Sequence, residues 1–223
     1  MKIQTYPDRE LLYMGLADAL SSDLNTALSR AGRVSFAVPG GTTPGPVFDM
    51  LCGLHLDWDR VDVVLTDERW VGEDDPRSNT RLLRERLLKG RAAAAHLVPL
   101  HAETETPEES LSVLEGAVRA LRPINVALLG MGEDMHTASL FPGGDKLATA
   151  LSPNAPSLVA MRAPGAEEPR VTLTVPVLRG ALARHLIITG EAKRAALEAA
   201  RGKLPEEAPI AALLDGLEVH WAP

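Results

Sequence analysis

The residues best suited to chemistry follow a short apolar run in the middle of the chain. Residues 126–129 predict a buried strand, and Gly130 and Gly132 permit sharp turns directly after it. Asp134 and His136 come next. An imidazole with an ordinary pKa of about 6.5 can accept and donate a proton at neutral pH, so His136 is a candidate general base. The alternative is that His136 only hydrogen-bonds a turn.

A glycine-rich loop follows the strand predicted over residues 34–38. Glycines let backbone N–H groups approach an anion closely, and a helix N-terminus adds a favourable dipole. We expect Thr43 to cap the following helix and Pro44 to take its first position. The alternative is a simple tight turn between a strand and a helix. The residues that this pattern suggests for anion binding are Gly40, Gly41, Thr42 and Thr43.

Three charged residues, Asp67, Glu68 and Arg69, follow the strand predicted over residues 61–66. One of them could face a ligand while another pairs with a neighbouring segment. The alternative is a surface ion pair, which contributes little to stability. Further along, the amide of Asn79 could hydrogen-bond a sugar hydroxyl or cap its own helix.

Two cations lie next to later predicted strands, Arg170 before one and Lys193 after another. Arg binds phosphate through its planar fork, whereas Lys acts as a point charge. Both residues are therefore candidates for binding an anion, and the alternative for each is a solvated surface cation.

Predicted strands alternate with predicted helices along the chain. This alternation indicates an α/β fold, with a single Rossmann-like, doubly wound, largely parallel sheet and helices on both faces. No shift in composition marks a boundary, so residues 1–223 are expected to form one domain. Ligands bind at the carboxyl ends of strands in such sheets. Four loops should therefore meet at one edge: residues 39–43, 67–71, 130–144 and 190–193.

Composition excludes several classes of protein. The net charge of −7 argues against a nucleic-acid partner. The single cysteine, Cys52, and the lack of closely spaced histidine pairs argue against a metal site. Residues 1–10 lack the apolar core of a signal peptide, and no apolar run is long enough to span a bilayer. A cytoplasmic protein with no membrane partner is expected.

Six segments occur in a distinctive order along the chain: Gly40–Pro44, Thr66–Val71, Ser78–Leu83, Gly130–Pro142, Arg170–Thr174 and Gly190–Lys193. Their content and order resemble those of the 6-phosphogluconolactonase family. The resemblance implies hydrolysis of 6-phospho-D-glucono-1,5-lactone to 6-phosphogluconate in the oxidative pentose phosphate pathway, without a metal or other cofactor. Two positions depart from the family, which often has Ser where Pro39 stands and Gly where Met135 stands.

The resemblance also suggests how the work is divided among the catalytic residues. His136 would act as general base on a water molecule and return the proton to the ring oxygen that leaves. Either Asp134 or Asp67 would orient the imidazole or the water. Arg69 or a backbone N–H group would stabilise the developing oxyanion.

The partner that the resemblance implies is a phosphorylated sugar lactone. Its phosphate would lie against the Gly40–Thr43 loop, with charge supplied by Arg170 and Lys193. Asn79 is a further candidate for binding the substrate. The chain is expected to act as a monomer or a homodimer.

Other functions predict patterns that can be compared with the sequence. Glucosamine-6-phosphate deaminases share the fold, but that family has a Glu at the position of Phe141 and typically a Tyr where this chain has Arg69-Trp70. These differences favour the lactonase. A non-catalytic sugar-phosphate sensor would keep Lys193 and the glycine loop but could dispense with His136. A nicotinamide-dependent dehydrogenase predicts a G-x-G-x-x-G loop, which the glycine loop does not match.

Overall fold

The computed structural model describes residues 1–223 and contains ten strands and seven α-helices. The strands are β1 (Lys2–Thr5), β2 (Val34–Val38), β3 (Val61–Leu65), β4 (Asp67–Arg69), β5 (His96–Val98), β6 (Val126–Gly130), β7 (Leu158–Met161), β8 (Arg170–Leu173), β9 (Ala183–Thr189) and β10 (Glu218–Ala222). The helices are α1 (Arg9–Leu28), α2 (Gly45–Leu51), α3 (Asn79–Arg86), α4 (Pro107–Ala120), α5 (Leu147–Leu151), α6 (Val175–Arg179) and α7 (Glu191–Ala200).

Seven of the strands form one parallel sheet in the order β1-β10-β9-β6-β2-β3-β5. After β2 the chain adds strands on one side, and from β6 onward it adds them on the other. The strand order therefore reverses between β2 and β6, which is where open parallel sheets bind ligands. Every residue of β2 is buried, as expected for a strand covered on both faces. The predicted α/β class and largely parallel sheet are confirmed.

A second, antiparallel sheet of three strands, in the order β4-β8-β7, was not predicted. The segment at Asp67 was expected to be a loop, but it forms β4 and pairs with β8, so that Arg69 lies opposite Arg170. Strands were expected near β7 and β8, but the three residues of β4 are too few to show an alternating pattern, and the pairing between the strands is not visible in the sequence. This small sheet brings two predicted binding residues, 101 positions apart in the sequence, next to each other.

The core is a single cluster of 58 buried hydrophobic residues. Helix α1 contributes the leucines that were predicted to share one face, Leu12, Leu16, Leu20, Leu24 and Leu28. Asp8 caps this helix by accepting a hydrogen bond of 2.8 Å from the backbone N–H of Leu11. None of the helices combines the length and the apolar character that crossing a membrane requires.

The start of α2 differs from the prediction. The expected cap at Thr43 is wrong, because the helix begins at Gly45 with Pro44 in the capping position and no side chain caps it. The N–H of Gly45 instead donates to the carbonyl oxygen of Thr42, which closes a turn ahead of the helix. The loop N–H groups before this turn are therefore not screened by a capping side chain.

Candidate active site

A cleft of about 290 Å³ lies at the carboxyl ends of the central strands, where the strand order reverses. The four loops expected to share this edge all contribute residues to its lining. Of the residues predicted for the site, the cleft is lined by Gly40, Gly41, Thr42, Thr43, Asp67, Arg69, Asn79, His136, Arg170 and Lys193. Asp134 does not line the cleft and reaches it only through His136.

A tight turn after β6 presents His136 to the cleft. The N–H of Gly132 donates to the carbonyl oxygen of His136, and the N–H of Met135 donates to the oxygen of Gly132. A Cβ atom at Gly132 would collide with the side chains of Asp134 and His136, so glycine is required there. Met135 has a φ of 67°, a left-handed conformation that favours glycine. The departure at Met135 therefore introduces backbone strain but leaves the turn intact.

The His136 ring is oriented on two sides. Its Nδ1 lies 2.5 Å from Oδ1 of Asp134, and the ring contacts that of Phe141 at a tilt of 44°, with centroids 4.7 Å apart. A carboxylate only accepts hydrogen bonds, so Nδ1 carries the proton and Nε2 is left with its lone pair. No protein group hydrogen-bonds Nε2. The ring is thus arranged to accept a proton at Nε2.

The carboxylate of Asp67 is buried and held by two hydroxyl groups. Ser139 donates to its Oδ2 at 2.6 Å and Thr66 donates to its Oδ1 at 3.1 Å. Ser139 is itself fully buried and has no contact with solvent. The role of Ser139 in holding Asp67 was not predicted, because the two residues are 72 positions apart in the sequence.

Glu68 is fully buried, which contradicts its interpretation as a surface ion pair. Its Oε1 accepts from the backbone N–H groups of Arg69 and Asn79, at 2.7 and 2.8 Å. Its Oε2 accepts from the N–H and hydroxyl of Thr80, both at 2.7 Å, and from the hydroxyl of Ser78 at 3.2 Å. A negative charge here also complements the positive end of the α3 dipole. Glu68 therefore fixes the start of α3 against β4.

Asn79 uses its amide mainly inside the protein. Its Nδ2 donates to the backbone oxygen of Asp67 at 2.9 Å, and its Oδ1 accepts from Nη1 of Arg69 at 2.9 Å. The alternative that Asn79 caps α3 is wrong, because Ser78 is the cap and accepts from the N–H of Arg81. Gly40 lies so close to the Asn79 amide that a Cβ atom at this position would collide with it. Asn79 thus connects the glycine loop with β4.

Arg69 and Arg170 lie side by side on β4 and β8. The Nε groups of both side chains are buried without a hydrogen-bond partner. Burial lowers the pKa of the Arg170 guanidinium, and the nearby charge of Arg69 adds to the decrease. Glu168 partly compensates, 3.5 Å from Arg170. Two adjacent cations with unpaired hydrogen-bond donors favour an anionic ligand on this side of the cleft.

The glycine loop and Lys193 also line the cleft. Gly41 has a φ of 84°, which turns the loop sharply after β2. Lys193 lies in the first turn of α7, directly after β9 and Gly190. It forms no salt bridge within the protein. The cleft therefore combines exposed backbone donors, three cations, a proton-accepting imidazole and a buried carboxylate.

This combination can bind an anionic group and activate water in one small volume. Backbone N–H groups and arginine forks bind phosphate oxygens. An imidazole that hydrogen-bonds a carboxylate through Nδ1 can remove a proton from water through Nε2. The chemistry best matched by the site is hydrolysis of a phosphorylated substrate at a carbon away from the phosphate.

Comparison with known proteins agrees with this geometry. Residues 7–221 match the family model described as glucosamine-6-phosphate isomerases/6-phosphogluconolactonase. The chain is 42% identical over 215 residues to a 6-phosphogluconolactonase of Rhizobium meliloti (strain 1021), covering 93% of each chain. It is 40% identical over 217 residues to that of Caulobacter vibrioides, covering 96% of this chain and 92% of the relative.

A solved structure agrees over the same extent. The fold superposes on the crystal structure of a 6-phosphogluconolactonase from Shewanella baltica OS155 with a TM-score of 0.92 and 32% sequence identity. The match covers 100% of this chain and 98% of the other. The chain belongs to the family of glucosamine-6-phosphate isomerases and 6-phosphogluconolactonases.

Proposed function

We propose that the chain hydrolyses 6-phospho-D-glucono-1,5-lactone to 6-phospho-D-gluconate, the reaction for which its relatives are named. The observation that carries this proposal is the His136–Asp134 pair, 2.5 Å apart, beside a cleft that is also lined by cations. A base oriented in this way suits the activation of water. The cations and the glycine loop suit a phosphate at the other end of a sugar.

In the proposed mechanism, Nε2 of His136 removes a proton from a water molecule. The water oxygen attacks the lactone carbonyl carbon, and the bond from this carbon to the ring oxygen then breaks. The imidazolium returns its proton to the ring oxygen, which becomes a hydroxyl group. Asp134 keeps the imidazole in the required tautomer and stabilises its positive charge.

The remaining residues bind and polarise the substrate in this proposal. The phosphate lies against Gly40–Thr43 and Lys193, and binding of this remote group holds the carbonyl in place for attack. The Arg69–Arg170 pair supplies positive charge to the substrate's oxygens. Asp67, held by Ser139, accepts a hydrogen bond from a sugar hydroxyl or from the attacking water.

The experiment is a coupled assay with two variants. The lactone is generated by glucose-6-phosphate dehydrogenase, and its hydrolysis is measured above the spontaneous rate. We expect His136→Gln to lower kcat by about 10²- to 10⁴-fold with little change in KM, since it removes only the base. The matched control is His96→Gln, an exposed histidine on β5 that lies outside the cleft. Turnover by His136→Gln at the rate of the parent would reject the mechanism.

We also propose that the chain acts in the cytoplasm, as a monomer or a homodimer. A phosphorylated lactone is charged and stays in the compartment where it is formed, so its hydrolase is needed there. Size-exclusion chromatography with light scattering over a range of protein concentrations measures the oligomeric state. A stable assembly larger than a dimer would contradict this part of the proposal.

A further inference from the structure

A second group of ionisable side chains lies away from the cleft, between β9, β10 and α1. His185 on β9 pairs in register with Glu218 on β10, and His220 follows Glu218 by two residues. Because side chains alternate along a strand, residues 218 and 220 share one face of the sheet, and His185 lies on the same face. None of the three lines the cleft.

The donor atoms of this group converge on a small volume. Nδ1 of His185 and Nε2 of His220 are 3.0 Å apart. One ring nitrogen of each histidine and one carboxylate oxygen of Glu218 lie within 4.8 Å of one another. Two nitrogens that bind one tetrahedral Zn²⁺ at its usual bond length are about 3.3 Å apart. In the metal-free arrangement these two nitrogens face each other, with the ring centroids 5.2 Å apart, so binding one ion requires both rings to turn towards a common point and the Glu218 side chain to rotate towards it.

The outer nitrogens of both rings are held by further protein groups. Nε2 of His185 lies 2.8 Å from Oδ2 of Asp23 on α1, and Nδ1 of His220 lies 2.9 Å from the hydroxyl of Tyr6. Histidines that bind metals almost always donate their second N–H to a carboxylate or another oxygen in this way, which fixes the ring and the tautomer. Both rings are thus oriented with one nitrogen towards the shared volume.

Charge and access also suit a cation. The two histidines are almost completely buried, whereas the side chain of Glu218 is 36% exposed. Its partner is Lys2, 3.7 Å away and largely exposed, which can move into solvent. Glu218 therefore supplies a negative charge that offsets part of the ion's charge. Its partly exposed side chain also marks the side from which an ion can enter.

We propose that His185, His220 and Glu218 bind one divalent transition-metal ion of the zinc type, with water in the fourth position. The ion replaces the hydrogen bond between the two imidazoles. The proton of His220 moves from Nε2 to Nδ1, so that the Tyr6 hydroxyl accepts a hydrogen bond that it otherwise donates. The bound ion joins β9 and β10, and through Asp23 and Tyr6 it also fixes α1 and the segment after β1.

No short motif in the sequence indicates this site. Zinc motifs have ligands a few residues apart, whereas these two histidines are 35 positions apart on neighbouring strands. The expectation of no metal rested on the lack of such motifs and on the single cysteine.

The test is a calorimetric titration of the full chain with ZnCl₂ after treatment with EDTA. His136 and Asp134 form a second possible zinc-binding pair, so the titration is run in the parent and in His136→Gln. We expect one equivalent to bind in both proteins and to raise the melting temperature, because the ion binds only the folded state. Visible absorption of the Co²⁺-loaded protein reports whether the coordination is tetrahedral.

Two further variants distinguish the proposed ligands. Glu218→Gln removes the half-exposed ligand without opening a cavity and should weaken binding at least tenfold, whereas His220→Gln should abolish it. The matched control is Glu198→Gln, an exposed carboxylate on α7, which should bind as the parent does. Failure of the parent to bind Zn²⁺, equal binding by Glu218→Gln, or loss of binding in His136→Gln would overturn the proposal.

Discussion

Asp67 depends on a short hydrogen bond from Ser139, a residue outside the predicted set. Ser139→Ala removes the 2.6 Å bond and leaves one oxygen of a buried carboxylate unpaired. We expect the free energy of unfolding to fall by about 1–3 kcal/mol, because an unsatisfied buried group bears its desolvation penalty. If Asp67 contacts the substrate as proposed, kcat should also fall, by about tenfold. Urea unfolding and the coupled lactone assay measure the two effects.

Ser35→Ala provides the matched control for that substitution. Ser35 is also buried, and its hydroxyl donates to the oxygen of Leu121 at the far end of β2 from the cleft. A similar loss of stability with unchanged kcat in Ser35→Ala would separate the positioning effect of Ser139 from general destabilisation. Equal kcat values for the parent and Ser139→Ala would show that Asp67 needs no such support.

Individual residues differ in how far the sequence reveals them. His136, Asp134 and Lys193 were identified because their residue types and their places after strands indicate chemistry. Ser139 was not identified, and Glu68 was noted only as one of three charged residues that could face a ligand or pair with a neighbouring segment. Their specific roles arise from contacts formed in the folded chain; Ser139 is 72 positions from Asp67. A buried serine has no local signature, because burial depends on what the rest of the molecule places above it.

At the scale of the element, helix α3 starts from a buried carboxylate. Glu68→Gln replaces one accepting oxygen with an NH₂ group that faces N–H and O–H donors. We expect the free energy of unfolding to fall by about 2–4 kcal/mol, because several hydrogen bonds to a charged acceptor are lost together. Chemical denaturation followed by circular dichroism measures the change.

The comparison variant is Glu85→Gln, which lies in the same helix. Glu85 is exposed and pairs only with Arg81 one turn away, and exposed pairs of this kind contribute less than about 1 kcal/mol. A loss of stability in Glu68→Gln no greater than in Glu85→Gln would contradict the assignment of Glu68 as the anchor of α3.

The strand pair β9–β10 carries a pH dependence of its own in the metal-free protein. Burial, with a smaller contribution from His185 and Lys2, lowers the pKa of His220 to about 4. The unfolded chain, whose histidines have a pKa of about 6.5, therefore binds more protons than the folded chain between these values. The contribution of neutral His220 to the free energy of unfolding is complete above about pH 6.5 and is lost as the pH falls towards 4. At pH 5 the free energy of unfolding is lower by about 2 kcal/mol.

This pH dependence is measured by urea unfolding of the EDTA-treated chain at pH 7 and pH 5. Imidazole NMR of His220 reports its titration directly and separates it from the other groups around it, which are Tyr6, His185, Asp23, Lys2 and Glu218. Titration of His220 near pH 6.5 would contradict the expectation.

Elements with a clear period were predicted, and elements without one were not. The five leucines of α1 repeat at every fourth position, and the apolar strands β2, β3, β6 and β9 lie between turn residues. In the small antiparallel sheet, strands were expected at residues 157–161 and 171–175, whereas β4 has three residues with no recognisable pattern, and the pairing of the three strands was not predicted. Arg69 and Arg170 were therefore identified as candidates from the sequence, but their placement next to each other was beyond local reasoning.

At the scale of the whole molecule, we propose that residues 1–223 form one domain, because all 58 core residues belong to one cluster. We expect a single cooperative unfolding transition, with the same midpoint by far-ultraviolet circular dichroism and by tryptophan fluorescence. Trp58, Trp70 and Trp221 lie in different parts of the fold and report on all of it. Two separate transitions would divide the chain into independent units.

The topology was predictable in kind but not in strand order. Alternation of strands and helices indicates a parallel sheet with its ligand site at the carboxyl ends of the strands. No local pattern in the sequence predicts that β6 lies beside β2, although this pairing brings the glycine loop and His136 together. The prediction of a shared cleft held because every order of parallel strands gathers the following loops at the same edge.

Strand β10 occupies an interior place in the sheet, between β1 and β9, although it is the last strand in the chain. During synthesis the first strand emerges from the ribosome without its neighbour and has to wait for residues 218–222. Partly made chains therefore carry an open seam beside β9, with unpaired backbone groups that attract other chains. Pairing of β10 with both β1 and β9 closes this seam and satisfies those backbone groups.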